Sequence, residues 1–380
     1  MVSKRVSLKT IADITGVSVP TVSQILNNRT VNYSSEATRR KVLETARELH
    51  YRPSFAYRLM QGKKTNTAAV LAGESLFQEE YLKRLFMELT ACFERKKWAV
   101  YTGILTPNAE ENLEIVRDMH LRGVEKMILI GTPVGWREII AKLDEYAIPY
   151  VGMEQESYSR VVHGESAVAV EKIIRWFRKK AGRRLKLVCT CDPGVDPDDL
   201  SRFRALRAAC PELTREECLR MTLILPNIPS DCADYRAAAS AAGYEAARKI
   251  LTEEPETEAI VFLNDDFALG GGYYLMEHPE LQDKVRIAGY NNNVVLESFP
   301  VPVTTAGPPP DRWAEELVNS IGIEGDFEKI VPPVLYFRER DPEKKEYPFW
   351  KQKEEEMNLL RPMRPIQPIS QNHTERNRTK

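Results

Sequence analysis

The sequence predicts a small all-α head followed by a larger α/β body, and three observations carry that expectation. Between residues 7 and 49, apolar positions recur at helical spacing in three short runs. From Thr67 onward, short apolar strand-like runs alternate with amphipathic helical stretches, as in parallel sheets covered on both faces. Charge divides the chain in the same place. Residues 1–64 hold twelve Lys/Arg against four Asp/Glu, whereas the whole 380-residue chain nets −1. A basic head on a mildly acidic body implies that only the head meets a polyanion.

The length suits two or three folded units. Six cysteines are scattered without a CxxC pair. Cys189-x-Cys191 lies in an apolar run and reads as buried strand, so no metal site is expected. Met1–Leu8 lacks an apolar signal core, and no run of 18 apolar residues occurs. The expectation is a reduced, cytoplasmic protein with no membrane partner.

In the head, Ser7 is placed to cap a first helix with Leu8, Ile11, Ala12 and Ile14 along it. Gly16 breaks that helix in a turn that needs positive φ. Ser18 then caps a second helix, Val19–Leu26, with Pro20 in its first turn, where a missing N–H costs nothing. Two short helices across a tight glycine turn form the helix-turn-helix pattern. Ile11, Ala12, Val17, Val22 and Leu26 supply its core and leave Thr21, Ser23 and Gln24 outward. Ser35 caps a third helix, from Glu36 to about Leu49. Thr38, Arg39, Arg40 and Lys41 crowd its start, where N–H groups and positive charge suit a phosphate. Pro53 and Ser54 open a further two-turn helix ending at Gly62, too short to be stable alone.

Residues 7–62 resemble the head and hinge of the lactose repressor (LacI/GalR) family of bacterial transcription regulators. The resemblance lies in Leu8, Ile11-Ala12, Gly16-Val17-Ser18, Thr21-Val22-Ser23, Leu26-Asn27, Ser35, Thr38-Arg39, Val42, Leu49, Tyr51, Pro53, Arg58 and Gly62. It implies a homodimer on a double-stranded, palindromic operator, with repression as the usual mode. It places Val19, Pro20 and Gln24 against base edges. Gln suits adenine N6/N7, and the other two can only pack on a thymine methyl or exclude a base, so the operator is expected to be A/T-leaning there. Paired hinge helices would bend the minor groove, with Met60 at the wedging position and Leu59 beside it. Tyr57 and Ser54 depart from the family's usual Ala and Asn. Division falls at 1–51 for the DNA-binding head, 52–66 for the hinge and linker, and 67–340 for the body.

Eight strand-like runs, from Ala68–Ala72 to Val285–Tyr290, suit two Rossmann-like halves with ligands outside the strands' C-terminal ends. Resemblance extends more weakly through the body. It rests on Asn264-Asp265, Gly289-Tyr290-Asn291-Asn292, Thr304-Thr305 and a last strand over Ile330–Arg340. It implies a periplasmic-binding-protein-like fold and a small effector, most often a sugar or nucleobase. Asp265 matches an acid that accepts ligand hydroxyls. Tyr81 and Phe77 match aromatics that stack on a sugar face. Asn291 replaces an Asp. Asp199 stands where the family has Arg, leaving Arg202 or Arg204, one turn along, as substitutes. Plainer roles also fit: core aromatics for Tyr81 and Phe77, a helix cap for Asp265.

Residues 341–380, rich in charge and proline, read as a disordered extension after a short helix near 350–360. An enzyme is not expected. There is no GxGxxG after a strand, no GxSxG and no metal-ligand cluster, and five histidines have no evident partners. No cofactor is expected. The competing reading is a cytoplasmic solute-binding protein built on the same body.

Overall fold

The structure, a computed structural model, describes residues 6–27, 34–51, 62–73, 80–153, 157–181, 184–229, 232, 234–340, 343 and 350–357. The chain divides into two compact units, Met1–Thr65 and Asn66–Lys380.

The first unit holds α1 (Leu8–Thr15), α2 (Val19–Leu26) and α3 (Glu36–Glu48). Each begins on a serine that accepts a backbone N–H three residues on. Ser7 accepts from Thr10, and Thr10 returns the bond in a capping box; Ser18 serves Thr21 and Ser35 serves Thr38. Gly16 closes α1 in the left-handed region at φ 76°, where a side chain would be strained. Ile11, Val22 and Val42, all fully buried, meet at the centre with Ala12, Ile25 and Ala46. Ile25, absent from the expected core, is more deeply buried than the half-buried Val17 and Leu26. Lys41 Nζ donates to Thr15 O at 3.1 Å, giving the end of α1 a partner on α3.

The second unit contains two sheets. The first runs β11-β5-β4-β3-β1-β2, with every neighbouring pair parallel. Its strands are β1 (Thr67–Gly73), β2 (Ala99–Leu105), β3 (Lys126–Ile130), β4 (Tyr150–Gly152), β5 (Arg160–Gly164) and β11 (Phe327–Val331). The second runs β13-β12-β10-β9-β8-β6-β7. Here β6 (Leu185–Cys191), β7 (Thr222–Pro226), β8 (Ala259–Val261), β9 (Arg286–Ala288) and β10 (Val303–Gly307) are parallel, while β12 (Val334–Arg340) and β13 (Trp350–Glu356) are antiparallel additions. Helices α4 (Glu80–Arg95), α5 (Ala109–Leu121), α6 (Trp136–Glu145) and α12 (Pro310–Ser320) serve the first sheet. Helices α7 (Ser166–Ala181), α8 (Ser201–Ala209), α9 (Arg215–Arg220), α10 (Tyr235–Glu253) and α11 (Asp265–Glu277) serve the second. The chain passes between halves after β5, after β10 and after β11, so neither half is a continuous segment.

Three expectations are corrected. The last strand over 330–340 is two strands, because Pro332-Pro333 cannot donate to a ladder; β11 joins the first sheet and β12 the second. The extension is not wholly disordered. Trp350–Glu356 pairs residue for residue with β12, from Arg340↔Trp350 to Val334↔Glu356, and it is a strand where a helix was expected. Its bonds are main-chain bonds, so the charged side chains gave no apolar signal. Histidines also find partners: His163 Nε2 lies 2.8 Å from Glu328 Oε1, and His120 stacks on Tyr146 at 3.9 Å. Inside α11, Gly270 lies where a Cβ would meet Ser240 O at 1.8 Å, so Gly270 permits the close crossing of α10 and α11.

Candidate DNA-binding face and effector cleft

On the head, α2 presents Val19, Pro20 and Gln24 to solvent, with Val19 38% exposed despite its apolar side chain. Ser18 and Ser35 are exposed and engaged as caps, through Ser18 Oγ···Thr21 Oγ1 at 2.8 Å and Ser35 Oγ···Thr38 Oγ1 at 2.9 Å. Thr21 and Ser23 are half-buried rather than fully outward. Asn27 turns back to donate from Nδ2 to Ser23 O at 2.7 Å. Arg39 is half-buried, and Tyr51 packs on the small core. A caps-and-core frame thus leaves one short apolar and amide surface on α2, beside hydroxyls at two helix starts. Ser54, Tyr57, Arg58, Leu59 and Met60, the expected hinge contacts, lie outside the described residues, as does Phe77.

In the body, a cavity of about 550 Å³ opens between the two halves. It sits at the C-terminal ends of the strands, as expected for open α/β sheets: Gly73 at the end of β1, Gly131 after β3, Gly164 at the end of β5 and Asn291 after β9 line it. Of the expected effector residues, Tyr81, Arg202 and Asn291 reach this lining. The Tyr81 hydroxyl donates to Pro308 O at 2.9 Å, and its ring tilts against Trp313 at 5.9 Å. Burial pushes that phenol well up from its ordinary pKa. Asn291 takes φ 106°, an uncommon conformation outside glycine, and donates its N–H to Ala306 O at 2.7 Å.

Asp265 is not among the lining residues. Its carboxylate accepts the Asn293 N–H at 2.7 Å and the Thr305 hydroxyl at 2.7 Å, tying α11 to the loop after β9 and to β10. Burial pushes it up to about 7, opposed by those two hydrogen bonds. The cap of α11 is its neighbour Asn264, which accepts from the N–H groups of Asp266 and Phe267. Arg202, rather than Asp199, reaches the lining, and Arg204 joins it there. Asp199 offers its backbone carbonyl to Arg204 Nη1 at 2.7 Å. Trp313, Tyr290, His163 and Glu165 also line the cavity. They escaped sequence reasoning because each sits on a strand end or helix brought in from the other half or beyond a crossover; among the motifs, only Tyr290 lay in a segment already singled out.

A three-helix head with an exposed second helix and a two-halved body with a cleft are the parts of a DNA-binding transcription regulator. Residues 7–54 match the family model described as bacterial regulatory proteins, lacI family. The ribose operon repressor of Escherichia coli (strain K12) is 24% identical over 338 residues, 87% of this chain and 94% of that protein. Among solved structures, the lac repressor dimer bound to operator and the anti-inducer ONPF aligns with TM-score 0.66 at 15% identity, over 87% of this chain and 98% of that one. A complex of the transcriptional regulator CelR with cellobiose aligns with TM-score 0.56 at 19% identity, over 87% and 98%. Residues 7–54 thus carry a lacI-family head, and the chain as a whole is similar over 87% of its length to a bacterial operon repressor.

Proposed function

We propose that this protein is a repressor that binds a palindromic operator as a homodimer and is controlled by a small hydroxylated effector held in the cleft. The observation that carries the reading is the outward face of α2. Val19, Pro20 and Gln24 stand exposed on a helix that is capped, packed and too short to serve any larger core. A helix of this size fits a major groove, and two copies on a two-fold axis read two half-sites. Gln24 then pairs with adenine, Val19 and Pro20 exclude polar base edges, and Ser18, Ser35 and Thr38 stand at helix starts suited to phosphates. Ser54, Arg58 and Met60 take the hinge role by resemblance. For dimerisation the body offers an apolar groove along the edge of its second sheet, lined by Ile224, Leu225 and Ala242. Tyr81, Trp313 and the hydroxyls of Thr132 and Ser157 give the cleft the mixed aromatic and polar lining that suits a sugar.

Operator selection from random duplex DNA, repeated across a panel of sugars and nucleobases, tests this. A palindromic site should emerge, with adenine at the Gln24 positions, and its capture should change with one class of compound. Gln24→Ala removes one bidentate base contact from each half-site, each worth about 1–3 kcal/mol, and should weaken binding about 30-fold or more. Enrichment of no sequence under any condition overturns the reading. Guanine at the Gln24 position overturns the assigned base contact.

A further inference from the structure

The cleft carries one buried charge without an ion-pair partner. Arg202 lines the cavity and is only 8% exposed, yet among the described residues no carboxylate forms an ion pair with its guanidinium, and the Asp265 carboxylate acts on it only through space. Its Nε donates to Leu263 O at 3.1 Å, and Nη1 makes a long contact with Ser201 Oγ at 3.4 Å. The guanidinium lies over the Tyr290 ring at 4.6 Å. Nη2 has no described acceptor. A buried cation without an anionic partner is costly, and the cost falls when an anion supplies one. Burial lowers the Arg202 pKa, which expresses that same cost.

The surroundings point the same way. Asp265, the acid nearest in role to a counter-charge, is turned onto Asn293 and Thr305. Two arginines, Arg202 and Arg204, line the cavity against one described carboxylate, Glu165. Arg202 also lies in the first turn of α8, whose start has no side-chain cap. Unsatisfied N–H groups at a helix start favour negative charge.

Building on the proposed effector cleft, we infer that the effector is an acidic polyol, carrying a carboxylate or phosphate that Arg202 receives as a charge-assisted pair. Its hydroxylated part then lies toward Tyr81, Trp313 and Thr132.

The test uses the full chain and matched probes: glucose, glucuronate and glucose 6-phosphate; ribose, ribonate and ribose 5-phosphate. Binding is followed by calorimetry and by intrinsic tryptophan fluorescence, to which Trp313 in the cleft contributes. At least one acid should bind ten-fold or more tightly than its neutral parent. Sugar acids and sugar phosphates in separate arms identify the anionic group. Arg202→Gln should remove the acid-over-neutral preference, and Arg202→Lys should keep part of it. Circular dichroism reports whether Arg202→Gln folds; if it does not, wild type and Arg202→Lys carry the comparison. The inference fails if neutral sugars bind as well as their acids, if none of the acids binds, or if Arg202→Gln weakens both kinds by the same factor. Operator selection is read separately, so a chain that selects an operator but answers only to neutral sugars loses this inference and keeps the regulatory reading.

Discussion

The head and the cleft are built by opposite means. Every serine cap in the head joins residues three apart: Ser7 to Thr10, Ser18 to Thr21, Ser35 to Thr38. In the cleft, Tyr81 bonds a carbonyl 227 residues away and Arg202 one 61 residues away, and outside its lining Asp265 accepts from a hydroxyl 40 residues away. Local bonds can form as soon as their helix does, so the reading surface of α2 depends on a short stretch of sequence. The cleft exists only when two discontinuous halves have both folded. It follows that the head should break by losing packing and the cleft by losing long-range ties.

The largest expected effect is in the head. Ile11→Ala empties the centre of a core with few large side chains, at a cost of about 3 kcal/mol. Operator affinity should collapse while ligand binding by the body persists, as measured by denaturant unfolding beside calorimetry. Equal damage to both activities would show that the two units are not independent.

Asp265 sharpens the comparison from the other side. In the folded chain its carboxyl is held at about 7, against roughly 3.9 when unfolded. The folded state therefore holds that proton more tightly, and the contribution of Asp265 to stability falls as pH rises from about 4 to about 7. Asp265→Asn removes the titration. Its stability relative to wild type should be more favourable at pH 8 than at pH 5, read from unfolding midpoints of the body. A difference that does not vary with pH sinks the assignment.

The smallest effect is a cap. Ser18→Ala removes the acceptor for the Thr21 N–H and should cost about 1 kcal/mol, with a modest loss of operator affinity. Loss larger than that seen for Ile11→Ala would mean that Ser18 touches DNA as well as capping α2.

Sequence alone determined the head: the serine caps, the Gly16 turn, the three helices and the exposed Gln24 all follow from residues within a few positions of one another. It also determined the α/β alternation of the body, because a buried parallel strand must be an apolar run. It could not decide how strands share sheets. Pro332-Pro333 sends β11 and β12 to different halves, and Trp350–Glu356 is held by a main-chain ladder that leaves no pattern in its charged side chains. Nor could it separate Asp265 from Arg202 as cleft residues. Both are polar residues at helix starts, and only the packed structure turns one carboxylate onto Asn293 and Thr305 and leaves one guanidinium facing the cavity. Helix caps are decided by local chain geometry, whereas the lining of a cleft is decided by which distant groups consume each other's hydrogen bonds first.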